Sequence, residues 1–435
     1  MKRDESALDA LDITDVERYR TRGYPWAAWD RLRREAPIYW YERPGHAPFW
    51  AVTRHADILT ISRASDVFVS TRRLRIFPEP LDSQIVHTRL EDARKVGWIE
   101  SAPLSFIDMD DPEHTTYRRV ISRFFTPRAM NRQQELIDGV ADRRVSLLER
   151  RLDEGPNDAG VVEFVDTVAV HVPATVLFEM LGVEEALYQQ ILDEVDDAVR
   201  SSHARAEARL PVERPRFTID SSRVARMMQD ALDRREAAGA DTDCLLDVIL
   251  RARVDGERVT PRQRLAMANM VLFAGLETTR NAIAGGVYTL LKRRDQLERL
   301  VADPGLVDTA SEEVLRWISP VIHFARTAVQ DFELSGTRIR AGEAVGMFYP
   351  SANRDESVFE DPYRFDVARR PNDHLAFGGY GTHFCLGANL ARWQIRATLR
   401  RLLPLLPELE LVGEPVWDGG LHVGGYTDLQ LRRAA

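Results

Sequence analysis

Residues 377–387 read Phe-Gly-Gly-Tyr-Gly-Thr-His-Phe-Cys-Leu-Gly, so Cys385 follows a loop with three glycines. Glycine adopts positive φ at little cost and lets a flat ligand approach the backbone. A helical pattern begins after Gly387, which puts the cysteine where helix N–H groups stabilise a thiolate. A thiolate in such a loop is suited to a soft metal centre, and haem iron accepts one thiolate as an axial ligand.

Other interpretations of this loop stay open or are disfavoured. Most free cysteines are small buried hydrophobic residues, which is the structural alternative for Cys385. A protease-like dyad with His383 is disfavoured, because side chains two residues apart rarely meet in hydrogen-bonding geometry. A nucleotide-binding loop is also disfavoured, since no Gly-Lys-Ser/Thr follows and no strong strand precedes.

Composition excludes several classes of protein. The 435 residues can bury a large core, and Lys+Arg 59 against Asp+Glu 68 gives a net charge of −9, which argues against nucleic-acid binding. Two cysteines, Cys244 and Cys385, exclude a disulfide scaffold or a multi-cysteine metal site. We expect no signal peptide, because the first residues lack an apolar run, and uncharged runs such as 265–276 are shorter than the ~20 residues of a membrane helix. We expect a cytoplasmic protein that binds neither nucleic acid nor membrane.

The predicted architecture is mainly α with a smaller β region, in a single large domain. Residues 38–41 and 49–54 flank a Pro-Gly turn and predict an antiparallel pair of strands. The further predicted elements, in chain order, are a helix over 55–63, an irregular stretch over 77–103, a helix opened by Asp111 and Pro112 that ends near 125, helices over 128–200, an exposed connection over 200–217, short strands over 324–349 and a last strand over 427–431.

Residues 260–292 predict a long helix with a polar patch in its middle. Thr-Pro-Arg-Gln at 260–263 is a capping box. The apolar run is interrupted by Ala-Gly-Leu-Glu-Thr-Thr at 274–279, where a threonine hydroxyl can bond to a backbone carbonyl and open the helix. A groove there could hold a diatomic ligand, with Thr278 and Glu277 handling protons. The alternative is a packing glycine beside an ordinary polar face.

Charged residues elsewhere carry less information when each is taken alone. Glu313 and Arg316 are spaced i, i+3 and can pair on one helical face, although most such pairs are solvated. Four residues can bind anionic groups of a cofactor through charge-assisted hydrogen bonds. The alternative for each is that it is an ordinary surface charge. The four are His114, Arg118, Arg326 and His383.

Taken in order, these features resemble the haem-thiolate cytochrome P-450 family, specifically its soluble bacterial members. The resemblance is carried by 274–279, by Glu313 and Arg316, and by 377–387, and it extends through 109–114, 118–119 and 353–355. It runs from about residue 25 to the C-terminus, which implies an N-terminal extension over 1–24 and one domain over 25–435. The implied fold is the family's triangular, mainly helical domain with a smaller β-rich side.

The resemblance implies a role for each candidate residue. Cys385 would be the proximal thiolate of haem b, with Gly387 in the same cofactor loop, and Thr278 would steer protons onto bound dioxygen. The other implied roles are propionate binding by His114, Arg118, Arg326 and His383, an oxygen groove formed by Ala274, Gly275, Glu277 and Thr278, and a buried structural pair of Glu313 and Arg316 with Arg370 or a near neighbour as third partner.

One feature departs from the usual family loop. Phe377 lies eight residues before Cys385, whereas the usual spacing is seven. This glycine-expanded form occurs in members that act on sterols and methyl-branched lipids. We expect the extra residue to bulge away from the haem while Gly381 and His383 keep their register.

By the same resemblance, the chain is a monomeric monooxygenase that uses O2 and electrons from a ferredoxin and its reductase. We expect it to hydroxylate a steroid, terpenoid or fatty acid, with a polyketide or aromatic natural product as the alternative substrate. His323 is a polar group near this site, either fixing substrate or acting as a hydrogen-bonded strand residue. The surfaces implied by the family are a ferredoxin-attracting set of Arg123, Arg128, Arg132, Arg392 and Arg396 and an apolar pocket of Trp98, Ile99, Phe106, Leu272, Phe324 and Val423.

Two rival functions stay open. A haem enzyme that isomerises or uses peroxide needs no redox partner, but such enzymes usually lack the acid–threonine pair, which is intact at Glu277 and Thr278. A haem-based sensor or binding protein would show no turnover. Oxygen and NADH consumption with surrogate ferredoxin partners separates these functions.

Overall fold

Helices account for most of the described chain, which comprises residues 8–79, 82, 105–154, 160–207, 223–239, 241–418 and 420–434 of the computed structural model. The mainly α prediction is confirmed. The helices are α1 Val16–Arg22, α2 Trp26–Glu35, α3 His55–Arg63, α4 Glu113–Ser122, α5 Pro127–Glu154, α6 His171–Leu181, α7 Tyr188–Glu207, α8 Arg223–Ala237, α9 Leu245–Arg251, α10 Pro261–Lys292, α11 Arg294–Ala302, α12 Val307–Ile318, α13 Tyr349–Ala352 and α14 Ala388–Leu402. The strands are β1 Ile38–Tyr41, β2 Phe49–Val52, β3 Phe68–Val69, β4 Val162–Glu163, β5 Arg253–Val254, β6 Glu257–Arg258, β7 His323–Ala328, β8 Phe332–Leu334, β9 Thr337–Ile339, β10 Ala344–Phe348, β11 Leu409–Leu411, β12 Val416–Asp418, β13 Gly425–Asp428 and β14 Gln430–Arg433.

The 32-residue helix α10 is the central element of the helical core. Its N-terminus is fixed by the predicted capping box, in which Thr260 N–H donates to Gln263 Oε1 at 3.0 Å and the Thr260 hydroxyl accepts from Gln263 N–H. The helix runs unbroken through 274–279 and packs against α6, α8, α12 and α14. Because apolar residues occupy most of its faces, it is buried along nearly its whole length.

A five-stranded sheet in the order β1-β2-β10-β7-β3 forms the β-rich side. Residues 38–41 and 49–52 pair antiparallel as predicted, with Ile38 opposite Val52. Strand β10 pairs parallel with β2 and antiparallel with β7, so Val345 lies opposite both Trp50 and Arg326. Two smaller apolar clusters cover the faces of this sheet, while the largest one surrounds α10.

Two predicted helix boundaries are wrong. Helix α4 begins at Glu113, since Pro112 occupies the N-cap position, and Asp111 instead accepts the Thr115 N–H at 3.2 Å. Helix α7 continues to Glu207 through part of the predicted connection over 200–217, because its first proline is Pro211.

The predicted last strand over 427–431 is two strands. They separate at Leu429, whose N–H donates to the Glu163 carboxylate at 2.8 Å instead of continuing a ladder. Strand β13 pairs with β12, and β14 pairs with β11 and β4. Each half therefore belongs to a different small sheet.

The first described residues pack against the rest of the chain. Tyr19 is fully buried, and the Tyr24 hydroxyl contacts the carbonyl oxygens of Ile318 and Ser319 at 3.1 and 3.0 Å. The division between an extension over 1–24 and a domain over 25–435 stays a prediction. Of the predicted irregular stretch over 77–103, all except 77–79 and 82 lies outside the described residues.

Candidate active site

The cysteine loop is closed by backbone hydrogen bonds and leads directly into α14. Cys385 N–H donates to the Phe377 carbonyl at 3.0 Å, and Phe384 N–H donates to Gly381 at 3.0 Å. Gly387 is the N-cap residue of α14, so the predicted placement of the cysteine at a helix start is confirmed. Tyr380 lies at the loop tip with 52% of its surface exposed.

Glycine at position 381 is required by a close backbone approach. A Cβ there would lie 1.6 Å from the Ser62 carbonyl oxygen at the end of α3. This is a clash with the backbone, so no side-chain movement could relieve it. At Gly379 a Cβ would lie 2.3 Å from the Ser62 hydroxyl. The two glycines therefore seat the expanded loop against α3.

The Cys385 thiol combines an exposed surface with a protein-enclosed position. Part of the Cys385 surface is exposed, yet the protein around its sulfur raises the pKa of the thiol. The Gly387 N–H, Arg118 and Arg392 lower this pKa, but by less than burial raises it. The helix start stabilises the thiolate through the Gly387 N–H as expected, but burial outweighs this effect on the pKa. A metal ion bound to this sulfur would favour the thiolate.

Helix α10 has an open face at the predicted polar patch. Ala274 is exposed although Leu272 and Leu276 beside it are buried. The Thr278 hydroxyl donates to the Ala274 carbonyl at 3.0 Å, which is the predicted type of bond, but the helix does not break. Since α10 packs against α14, the open face belongs to the same helical core as the cysteine loop.

Gly275 packs against a neighbouring helix, and Glu277 lines a small cavity. A Cβ at Gly275 would lie 3.0 Å from the Leu177 side chain, so this glycine allows α6 to pack closely. Glu277 lines a cavity of about 20 Å³ together with Asp196 and Arg280. That volume is enough for one water molecule.

His114 and His383 meet two residues before Cys385 in the cysteine loop. Their rings stack with centroids 4.0 Å apart, and His383 Nε2 lies 3.2 Å from the Ser70 hydroxyl. Burial lowers the pKa of His114 and brings that of His383 to about 2, and the nearby charges of Arg118 and Arg326 lower both further. Both imidazoles are therefore neutral at pH 7, and His114 Nε2 is buried without a hydrogen-bond partner among the described residues.

The two arginines of this group are also poorly compensated. Arg118 Nη2 donates to the Phe384 carbonyl at 2.6 Å, directly before the cysteine. Arg326 is buried and donates to the Ala325 carbonyl, and it forms no ion pair with a described residue. We call the four residues the histidine–arginine cluster: His114, Arg118, Arg326 and His383.

Glu313 and Arg316 form a fully buried ion pair. Arg316 Nε and Nη2 contact the two carboxylate oxygens at 2.8 and 2.7 Å. The third partner is Arg369, the near neighbour of Arg370, at 3.2 Å from the same carboxylate. Arg316 also donates to the carbonyls of Asn353 and Pro362, so the pair joins α12 to the segment before the cysteine loop.

His323 has a structural role. Its Nε2 accepts the Ile76 N–H at 3.0 Å and its Nδ1 donates to the Leu421 carbonyl at 3.0 Å. Burial lowers its pKa to about 3. The ring is thus a neutral bridge between two chain segments, which is the strand alternative and not the substrate-fixing one.

The described residues of the predicted apolar pocket differ in their exposure. Phe324 and Val423 are half-buried, whereas Phe106 and Leu272 are enclosed by protein and expose 3% and 0% of their surface. Trp98 and Ile99, also predicted to line the pocket, lie outside the described residues.

Some of the predicted partner-attracting arginines are already paired. Arg392 contacts both oxygens of Glu312, at 2.8 and 2.9 Å, and lies over the Phe377 ring. Arg396 also contacts Glu312, and Arg123 contacts Asp243 at 2.7 Å. Arg128 and Arg132 are exposed.

The sequence analysis missed two charged residues of the site. Glu312 holds Arg392 and His374, which keep its pKa at about 2 despite burial. Arg75 is held in a largely enclosed position, where Asp108 and Glu277 are close enough to affect its pKa. Neither contact follows a helical or strand period, so no local pattern could have revealed it.

Comparison with known proteins identifies the family. Residues 305–405 match the family model described as Cytochrome P450. The chain is 35% identical over 400 residues to the methyl-branched lipid omega-hydroxylase of Mycobacterium tuberculosis strain H37Rv, which covers 89% of this chain and 86% of the relative. The chain belongs to the cytochrome P450 family. It is also 33% identical to the steroid C26-monooxygenase of Mycolicibacterium smegmatis, over 94% of this chain and 90% of that one.

Solved P450 structures share the whole architecture. A Mycobacterium marinum cytochrome P450, CYP268A2, determined with pseudoionone, is 32% identical with a TM-score of 0.79 and covers 98% of this chain and 96% of that one. CYP108D1 from Novosphingobium aromaticivorans is 29% identical with a TM-score of 0.79, each chain covered to 97%. The protein is therefore a P450 monooxygenase with haem as cofactor that hydroxylates hydrophobic small molecules.

The residues described above fit haem. Cys385 offers a thiol with open surface, Ala274 gives α10 an open face, and the histidine–arginine cluster holds two arginines that form no ion pair with a described residue. A metal ion and two carboxylates are the groups that such donors lack. Among the described helices, none is both long and apolar enough to cross a membrane.

Proposed function

We propose that Cys385 is the proximal thiolate ligand of the haem iron and that the histidine–arginine cluster binds the haem propionates. The observation that carries this proposal is the exposed thiol together with half-buried Arg118 and buried Arg326, neither of which forms an ion pair with a described residue. A propionate near Arg326 and His383 would reverse the lowering of their pKa values, because an opposite charge favours the protonated form. Gly387 supports the loop as the N-cap residue of α14.

When bound, thiolate-ligated haem supplies oxygen activation, in which one oxygen atom enters the substrate and the other leaves as water. The protein contributes orientation, exclusion of water and proton supply. We assign proton supply to Thr278 and Glu277, with Ala274 and Gly275 beside them on α10. The hydroxyl of Thr278 is held by the Ala274 carbonyl at 3.0 Å, and the cavity beside Glu277 has room for one water.

Thr278→Ala tests this assignment. We expect the yield of hydroxylated product per NADH consumed to fall at least about tenfold while NADH oxidation continues. Without the proton supplied through Thr278, reduced oxygen is released as hydrogen peroxide. The measurement is product, peroxide and NADH in one reaction. The control is Thr289→Ala, which removes a similar hydroxyl-to-carbonyl bond on the same helix, at 2.7 Å to Gly285. Equal product yield in both variants would contradict the assignment.

We propose a steroid or a methyl-branched lipid as the substrate, hydroxylated on its terminal alkyl carbon. The support is that the two relatives above are named for omega- and C26-hydroxylation. The expanded cysteine loop, Phe377 to Cys385, fits the same substrate group. A polyketide or aromatic natural product is the alternative, and turnover of a cholesterol-type side chain against an aromatic polyketide distinguishes the two.

We propose a ferredoxin as electron donor to a monomeric, cytoplasmic enzyme. Arg128 and Arg132, at the first turns of α5, are the exposed cations best able to attract an acidic partner. The double variant Arg128→Glu/Arg132→Glu should slow reduction by ferredoxin, and the loss should be larger at low salt. Arg150→Glu, exposed at the other end of α5, is the control. The same rates in all three proteins would contradict the assignment of this surface.

A further inference from the structure

Arg392 belongs to the predicted partner-attracting arginines, yet its guanidinium contacts an aromatic ring of the protein. It lies over the ring of Phe377 at 4.5 Å from the centroid, and only 23% of the side chain is exposed. Arg392 is in the second turn of α14, which begins directly after the cysteine loop. Its cation is therefore in contact with Phe377, the first residue of that loop.

Glu312 on α12 fixes the position of this cation. Its two carboxylate oxygens accept from Arg392 Nε at 2.8 Å and from Arg392 Nη2 at 2.9 Å, which is a bidentate geometry. His374 Nε2 lies 3.2 Å from the same carboxylate, and His374 Nδ1 accepts the Ala376 N–H at 3.3 Å. The imidazole therefore carries its proton on Nε2 and donates it to Glu312.

Phe377 connects the ion pair to the cysteine. The guanidinium of Arg392 lies over its ring, and its carbonyl accepts the Cys385 N–H at 3.0 Å. Burial raises the pKa of the Cys385 thiol, and Arg392 is one of the two cations near enough to lower it. A fixed positive charge thus acts on the sulfur, while the compensating carboxylate belongs to the neighbouring helix α12.

A second ion pair between the same two helices gives a comparison. Asp308, one turn before Glu312 on α12, contacts Arg400 on α14 at 3.1 Å, and both side chains are more than half exposed. Burial opposes ionisation of Glu312, but its hydrogen bonds outweigh burial and keep its pKa at about 2. Both pairs join α12 to α14, and the Glu312 pair in addition holds a permanent charge against the cysteine loop.

We propose that Glu312 is a positioning residue that holds Arg392 against the cysteine loop, where the arginine charge raises the reduction potential of the haem. This rests on the proposed ligation of haem iron by Cys385. In the reduction concerned, one electron from the donor converts ferric to ferrous iron, and no bond forms or breaks. The electron adds negative charge, so a nearby cation favours the ferrous form and a nearby carboxylate opposes it. Groups around the metal ligand are a general means of setting such potentials.

Reduction potentials of the haem-loaded variants test the proposal. They are measured by titration with dithionite in the presence of mediator dyes, followed by absorbance. Arg392→Leu should shift the equilibrium toward ferric haem about tenfold, which is about 59 mV for one electron. Glu312→Gln removes only the negative charge and should shift the equilibrium a few-fold in the opposite direction, toward ferrous haem.

The opposite signs separate an effect of charge from an effect of structure. Each single variant breaks the same ion pair, so a loosened loop would shift both potentials in one direction. The double variant Arg392→Leu/Glu312→Gln removes both charges and should lie between the two single variants. Asp308→Asn is the matched control, because it removes an exposed carboxylate from the same helix, and it should leave the potential unchanged.

The absorbance of the reduced, carbon monoxide-saturated proteins separates the two ways in which the proposal can fail. If wild type has the red-shifted Soret band but the single variants keep its potential or shift it in the same direction, the role of Glu312 and Arg392 is refuted and the ligation by Cys385 stands. If wild type lacks this band, both fail. If Arg392→Leu does not retain haem, Glu312→Gln decides alone: a shift toward ferric haem, or none, overturns the proposal.

Discussion

Two buried charged groups of this P450 differ in how completely their charges are compensated. The Glu313 carboxylate receives Arg316, Arg369, the Asn372 amide and the Asp366 N–H. The histidine–arginine cluster is compensated much less: His114 Nδ1 lies 3.5 Å from the Asp111 carboxylate, whereas Arg118 and Arg326 donate to carbonyl oxygens and form no ion pair with a described residue.

The difference separates a structural network from a binding site. Burying a charge without a partner costs several kcal/mol, whereas a fully bonded network holds chain segments in one arrangement. The first group joins α12 to the segment before the cysteine loop and is complete. The second is complete only with a bound anion, and haem brings two carboxylates.

The largest effect is expected from breaking the complete network. Glu313→Gln leaves two buried guanidinium groups without their shared carboxylate and should lower the free energy of unfolding by about 3–5 kcal/mol. Urea unfolding of the haem-loaded protein, followed by circular dichroism, measures it. Glu298→Gln, exposed on α11, should change stability by less than about 0.5 kcal/mol. Similar unfolding midpoints for the two variants would remove the structural half of the comparison.

A smaller, cofactor-specific effect is expected in the incomplete group. Arg326→Leu should speed haem loss by about 10–100-fold, since a charge-assisted hydrogen bond contributes about 1.5–3 kcal/mol. Fold stability of the haem-free chain should not fall, because the substitution removes an uncompensated buried cation. Haem transfer to excess apomyoglobin gives the rate, with exposed Arg340→Leu as control. Unchanged haem loss would mean that Arg326 does not serve the propionates.

The smallest effect concerns a buried base outside both groups. The pKa of His323 is about 3 in the folded protein and near 6.5 when unfolded. The unfolded chain therefore binds the extra proton between these values, so stability present above pH 6.5 is lost as pH falls toward 3. Between pH 7.5 and 5.5, His323 should contribute a loss of about 1 kcal/mol. The pH dependence of urea unfolding should shrink by that amount in His323→Gln, and an equal dependence would refute the assignment.

Local patterns predicted the elements that carry local signals. The capping box at Thr260 and the hydroxyl bond of Thr278 each involve groups within four residues, and both are present as predicted. The end of α7 was misplaced because its arginine- and serine-rich segment resembles a loop, although nothing before Pro211 prevents a helix.

Contacts between distant residues could not be predicted in this way. Arg392 is held by Glu312, 80 positions away, and Gly275 faces Leu177 on another helix. Such contacts depend on how elements pack in three dimensions. The family resemblance indicated which residues matter but not that the protein surrounding the Cys385 thiol raises its pKa.

The most direct test of the account is the absorbance of the purified protein, reduced and saturated with carbon monoxide. The account predicts the strongly red-shifted Soret band of thiolate-ligated haem in wild type and its loss in Cys385→His. A wild-type band at the shorter wavelength of histidine- or thiol-ligated haem would contradict the assignment of Cys385, and failure to bind haem at all would contradict the site as a whole.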